Sequence, residues 1–242
     1  TNDVKGKPCL IGTIINFFAI VIGGLLGLLL GSHLPEKLRQ TIVNGLGLFM
    51  LGYAISLFIK TENALIVLGS LLIGILLGEW WRIEEGLTHL GVKLDAWINH
   101  ANKSENSTRF IKGFLTATLL FCIGPMAILG SIQDGLTGDY NTLLVKSIID
   151  GFTAMAFASS FGVGVVFSAF PVFIYQGTIT LLAQQVQSIS TAAMMNELSA
   201  TGGVILAGLA ISNILEIKKI RTGNFLPALL IAPLLAYFLS LI

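Results

Sequence analysis

Asp150 stands in a long apolar run with Lys146 four residues before it. Residues four apart share one face of a helix, so the two side chains can pair. Counted from Asp139, a residue type that caps helices, Asp150 falls about 16 Å into the segment, near the middle of a hydrocarbon core about 30 Å thick. An ionisable group at that depth is costly and marks an ion pathway or proton relay by default. Two roles follow for Asp150: a carboxylate that binds a cation or proton in transit, or one held by its own helix's lysine.

Further chemistry is carried by Cys122-Ile123-Gly124-Pro125-Met126. Gly124 and Pro125 break a helix inside an apolar run. Freed carbonyls there favour a cation and a restarted helix N-terminus favours an anion, as in the discontinuous helices of transporters; a simple proline kink is the plainer alternative. Asp134 and Asp139 follow, as loop or cap residues or as ligands. Tyr175, Gln176, Thr178, Thr180 and Gln184 lie in a later apolar run and Asn16 in the first. Amides bond helices together in lipid, yet Tyr175-Gln176-Gly177 also sets two polar groups beside a point of close backbone approach, a place for a solute contact. Asn44 and Asn213 belong to a weaker tier. The expected pathway residues are Asn16, Gly124, Pro125, Asp134, Asp150, Tyr175 and Gln176.

Other chemistries find little support. There is no His-Glu-x-x-His site, no Gly-x-Ser-Gly nucleophile pattern and no phosphate-binding glycine loop. His33, His89 and His100 fall in polar loops or an interfacial helix and do not form a metal centre. Asp139 and Asp150 share one segment, so they do not face each other from different helices as an intramembrane aspartyl protease requires. The expectation is a protein that is not an enzyme and needs no cofactor.

The elements that must position these residues follow from composition. Of 242 residues 54% are hydrophobic and 11% charged, with a mean hydropathy of +0.85, against about 25% charged in a soluble domain. Two cysteines exclude a disulfide scaffold,, and a net charge of +1 gives no basic field for nucleic acid,. The class is a polytopic, all-helical transmembrane bundle. About 20 apolar residues cross a bilayer, and eight stretches qualify: Leu10–Leu30, Ile42–Ile59, Ala64–Trp81, Phe110–Leu129, Leu143–Phe170, Pro171–Ala183, Ala200–Leu215 and Phe225–Ile242. The fifth and sixth are divided at Pro171, with a short helix plus a re-entrant segment as the alternative.

The chain thus divides into an extension (1–9), three spans (10–81), a polar connection (82–109) and five further spans (110–242). Leu10–Leu30 is too long for a signal-peptide core and is expected to stay as the first span. Ile83, Leu87, Leu90, Leu94, Trp97 and Ile98 recur at helical steps, so the connection contains an amphipathic helix in the headgroup plane,, followed by a linker over Asn99–Thr108. Ten Lys and Arg fall on the face that holds this connection, against Lys5, Lys7, Lys60 and Lys146 on the other; basic loops are cytoplasmic, so both termini are expected outside. Trp80, Trp81 and Arg82 anchor the inner interface.

Gly23, Gly27 and Gly31 form a ridge of small residues, as do Ser70, Gly74 and Gly78. Such ridges allow close helix packing within a subunit or in a homo-oligomer. Gly12-Thr13-Ile14 is echoed by Gly177-Thr178-Ile179, and Gly52-Tyr53-Ala54-Ile55-Ser56 by Gly208-Leu209-Ala210-Ile211-Ser212. Mapping spans one and two onto six and seven gives an inverted repeat, common in secondary transporters.

The stretch Phe121-Cys122-Ile123-Gly124-Pro125-Met126-Ala127-Ile128-Leu129-Gly130-Ser131-Ile132-Gln133-Asp134-Gly135 is followed by Gly138-Asp139, Lys146-Ser147, Asp150-Gly151, Phe157-Ala158-Ser159 and Tyr175-Gln176-Gly177. Together with Ile11-Gly12-Thr13-Ile14-Ile15-Asn16 and Asn224-Phe225-Leu226-Pro227-Ala228 it resembles the YqgA/YdfK-like family of bacterial multi-pass inner-membrane proteins, over nearly the whole chain from residue 10. Pro125 departs from the small residue more usual there. The resemblance implies a bacterial inner-membrane location and a family of unknown function, commonly grouped with candidate transporters; it names no substrate. The leading expectation is a transporter or channel for a small polar or ionic solute in the lipid bilayer. The alternative is a membrane scaffold or sensor working through its glycine ridges.

Overall fold

The computed structural model describes residues 10–31, 35–98 and 105–239. The extension 1–9, with Lys5 and Lys7, lies outside them, as do His33 and His100. Among the described residues there is no strand. The helices are α1 (Ile11–Gly31), α2 (Glu36–Phe58), α3 (Ala64–Trp81), α4 (Ile83–Ile98), α5 (Glu105–Ile123), α6 (Pro125–Thr137), α7 (Asn141–Phe161), α8 (Gly164–Phe167), α9 (Ala169–Leu181), α10 (Ala183–Ile189), α11 (Ala192–Leu209) and α12 (Ala228–Leu239). Seven stretches are long and apolar enough to cross a membrane, and α5 with α6 makes a further pair bent by 60°. Outward-facing Phe18, Ile22, Leu65, Leu76, Ile148 and Phe152 suit acyl chains rather than water,.

The glycine ridges fix the frame. A Cβ added at Gly23, Gly27 or Gly31 would fall 2.1, 2.2 or 2.5 Å from the carbonyl oxygen of Gly151, Met155 or Ser159. Each partner lies 128 positions further along (151 less 23, 155 less 27, 159 less 31), so α1 and α7 run parallel in backbone contact. Parallel direction decides what the bent pair does. With α2 and α3 each crossing, α7 can re-enter from the face where α1 began only if α5–α6 also crosses; a re-entrant return would have reversed α7. Gly74 and Gly78 meet the backbone of Ala228 and Asn224, with α3 antiparallel to the segment that leads into α12. Both ridges are therefore consumed within one chain, and an assembly of copies would have to use another face.

Several boundaries differ from expectation. The break between the fifth and sixth spans is at Gly162, not Pro171: Gly162 takes φ +82°, a conformation open to glycine,, whereas Pro171 sits in the first turn of α9, where a missing N–H is tolerated,. Helix α2 starts at Glu36, before the apolar run, and residues 105–108 of the expected linker form the first turn of α5. The amphipathic helix is α4. It is docked by Asn224, whose Oδ1 accepts the Glu84 N–H at 2.7 Å, while Glu84 Oε2 accepts the Gly223 N–H at 2.6 Å.

The internal echo does not fit a repeat in register. Asn16 opposes Gln176 and Thr13 opposes Thr180, so α1 and α9 run antiparallel. Gly12-Thr13-Ile14 opens α1 while Gly177-Thr178-Ile179 lies near the end of α9. Both peptides thus sit towards one face of the bundle, where an inverted repeat places them on opposite faces.

Candidate functional site

Asp150 is the tenth residue of the 21-residue α7, about 14 Å from its start,. It and Lys146 are each only 5% exposed, and the Lys146 ammonium donates to Asp150 Oδ2. Lys146, counted with the outer face in the charge bias, is buried within the span, where its carboxylate partner lies one turn on. Asn16, on α1, donates from Nδ2 to the same Oδ2 at 3.1 Å and to Gln176 Oε1 on α9 at 3.0 Å. Three helices are thus joined by one buried polar cluster, in which Asn16 Oδ1 and Gln176 Nε2 have no hydrogen-bond partner. One turn along α1, Thr13 and Thr180 hydroxyls meet at 3.4 Å.

A cavity of about 270 Å³ lies beside this cluster, between α2, the α5–α6 break and α7. Its wall includes Lys146, Asp150, Tyr53, Phe121, Phe157 and Gly124. Gly124 ends α5 in extended geometry (φ −68°, ψ 140°) and Pro125 opens α6. Pro125 brings no N–H to the Phe121 carbonyl four residues back, so the break puts polar backbone at the cavity. The Lys146 ammonium lies 5.8 Å from the centroid of the Phe121 ring.

Asn16, Asp150 and Gln176 are brought together, and Gly124 joins them across the cavity. Asp134 is not among them. It is fully buried on α6 and lies in the wall neither of this cavity nor of the hollow between α6, α10 and α11; its Oδ2 accepts the Gly12 N–H at 3.0 Å, capping α1, while its Oδ1 has no hydrogen-bond partner. Tyr175 is half-buried on α9 and is not part of the cavity wall. Asp139 closes the start of α7, its Oδ1 accepting the Asn141 N–H at 3.0 Å. Asn44 is exposed. A second hollow of about 470 Å³ lies between α6, α10 and α11, with Gln133, Gln187, Ser190 and Asn196 in its wall.

Glu197 was missed from sequence. It is 1% exposed, and its carboxylate accepts the Thr61 hydroxyl at 2.7 Å and the N–H groups of Glu62 and Asn63 at 2.8 and 3.0 Å. The available signal was its place as the first charged residue after Asp150, at the head of an apolar run. Among the described residues no group of three or more His, Cys, Asp or Glu side chains is placed to hold a metal ion.

The model of the family described as "Protein of unknown function (DUF554)" matches residues 11–237. The chain is 36% identical over 222 residues to "Uncharacterized protein YqgA" of Escherichia coli (strain K12), covering 92% of this chain and 94% of that protein. It is 32% identical over 230 residues to "Uncharacterized membrane protein YdfK" of Bacillus subtilis (strain 168), covering 93% and 95%. No solved structure matches it.

Proposed function

The chain belongs to that family, and we propose that this membrane protein moves a small polar or ionic solute, with Asp150 as the site of a coupling cation or proton. One observation carries the reading: the Lys146–Asp150 pair forms the wall of a cavity at mid-depth. Lys146 is then a tethered cation. It neutralises Asp150 when the site is unloaded, which avoids the cost of a lone buried charge, and it must be displaced when a cation or proton binds. Asn16 holds the carboxylate in place through the exchange. The hollow between α6 and α11, a mostly apolar space with Gln133, Gln187, Ser190 and Asn196 in its wall, would be the outer end of the route, separated from the cavity by the short helix α6.

By the same logic the protein resides in a bacterial inner membrane with both ends of the chain outside. Removing Lys146 from the exterior loops leaves Lys5, Lys7 and Lys60 there and sharpens the bias,. No enzymatic role is assigned: Asp134 and Asp150 are engaged with different partners, Gly12 and Lys146.

A scaffold is the second reading, favoured by the fact that Asp150 is already satisfied by Lys146 and Asn16. Flux separates the two. In proteoliposomes loaded with a pH-, Na⁺- or K⁺-sensitive dye matched to the imposed proton, Na⁺ or K⁺ gradient, the native protein is expected to carry at least one of these ions and Asp150→Asn to lose at least ten-fold. Flux unchanged in Asp150→Asn, or none from the native protein, would overturn the transport reading.

A further inference from the structure

The cavity beside Asp150 has its mouth on the outside of the bundle. Between α2 and α7 the rim is formed by Phe49, 67% exposed, and Ile149, 52% exposed. Both stand near the middle of long helices, so the mouth opens at the depth of lipid acyl chains and not to bulk water. A molecule entering there comes from the bilayer and must be soluble in it.

The group already filling the inner end shows what the site accepts. Lys146 extends an alkyl stem that ends in an ammonium on Asp150, over the ring of Phe121. A cation above an aromatic face is drawn by the ring quadrupole, the more so where water is excluded. Phe49 and Tyr53 stack parallel with centroids 6.4 Å apart, adding aromatic surface between mouth and carboxylate. Asn16 Nδ2 grips Asp150 independently of Lys146, and Asn16 Oδ1, buried without a partner, offers an acceptor to an N–H of the displaced Lys146 amine.

We propose that this cavity is a lateral binding site for a compact alkyl- or arylalkylamine: the neutral amine dissolves in the bilayer, enters between α2 and α7, takes a proton from the Lys146 ammonium and replaces it on Asp150 as an ammonium, leaving Lys146 a neutral amine so that the net charge of the site is unchanged. The inference rests on the exchange role given to Asp150 above and names the class of solute. A volume of about 270 Å³ is at the lower edge of ligand pockets, so the apolar part of the amine is a single ring or short chain. The neutral alcohol and the carboxylate of the same shape lack the charge that Asp150 selects.

The test is binding of radiolabelled 4-phenylbutylamine to the full chain in phosphatidylcholine nanodiscs at pH 8. Saturable binding is expected, with 4-phenylbutanol and 4-phenylbutanoate displacing it at least ten-fold more weakly than unlabelled amine. Asp150→Asn should weaken binding at least ten-fold. Lys146→Met, which removes the competing cation, should tighten it several-fold, and Ile149→Trp at the outward-facing rim should weaken it. Absence of saturable binding, equal displacement by the alcohol, or no gain in Lys146→Met would overturn the proposal; should Asp150→Asn not fold, displacement and Lys146→Met decide. Ion flux without amine binding defeats this inference and leaves the transport reading intact, whereas amine binding without flux does the reverse.

Discussion

The carboxylate of Asp134 accepts the backbone N–H of Gly12 at 3.0 Å, closing the start of α1 from α6 across 122 positions of sequence. A helix leaves its first N–H groups without internal partners, and burial makes each of them expensive. Asp134 is fully buried beside them, so a side chain on one span does the capping that the sequence around Gly12 cannot. Asp134→Ala is expected to lower unfolding stability by on the order of 1–2 kcal/mol. Asp134→Asn keeps an acceptor and should recover most of the loss. Denaturant titration of the purified protein measures both. A loss of ion flux in a stable Asp134→Asn would instead put this residue in the pathway.

The parallel contact of α1 and α7 makes a second prediction. Gly27→Ala would place a methyl group 2.2 Å from the Met155 carbonyl oxygen, and backbone on both sides cannot yield without the helices parting. A cost of about 1–3 kcal/mol is expected. Gly52→Ala is the control, because nothing lies within 4 Å of its added Cβ; it should be neutral or stabilising by up to about 1 kcal/mol. Equal effects at the two positions would contradict the packing described.

Glu197 carries the third. Its two oxygens accept three donors from Thr61, Glu62 and Asn63, tying the α2–α3 turn to the head of α11. Glu197→Ala removes the acceptor of all three groups. A destabilisation of about 1–3 kcal/mol should appear together with faster proteolytic cleavage between residues 59 and 63. An unchanged cleavage rate would show that the turn holds itself.

What the sequence made legible follows the range of the interactions. Apolar length and helical periodicity are local, so the spans and the amphipathic α4 could be read directly, as could Lys146 with Asp150 one turn apart on α7. Asn16 and Gln176 were recognisable as polar groups in lipid, but their meeting at 3.0 Å depends on α1 and α9 running side by side across 160 positions. The Gly12 partner of Asp134 and the role of Glu197 were hidden for the same reason, since the groups they bind lie more than 100 positions away. The Pro171 break failed differently: proline punishes only a helix interior, and Gly162 had already ended α7 nine residues before Pro171,.

The bent pair α5–α6 gives the last prediction, which turns the α1–α7 alignment into a statement about sidedness. If the pair crosses, the α2–α3 turn and the end of α6 share one membrane face, with α4 and the segment before α12 on the other. Single cysteines at Lys60, Thr137, Lys93 and Lys218, all exposed positions, can be introduced with Cys9 and Cys122 replaced by serine. A membrane-impermeant maleimide applied to intact spheroplasts should label Lys60→Cys and Thr137→Cys, and should reach Lys93→Cys and Lys218→Cys only after permeabilisation. A re-entrant α5–α6 would move Thr137→Cys into the second group. It would also force α7 to run against α1, and the offset shared by Gly23, Gly27 and Gly31 with their partner carbonyls would have no explanation.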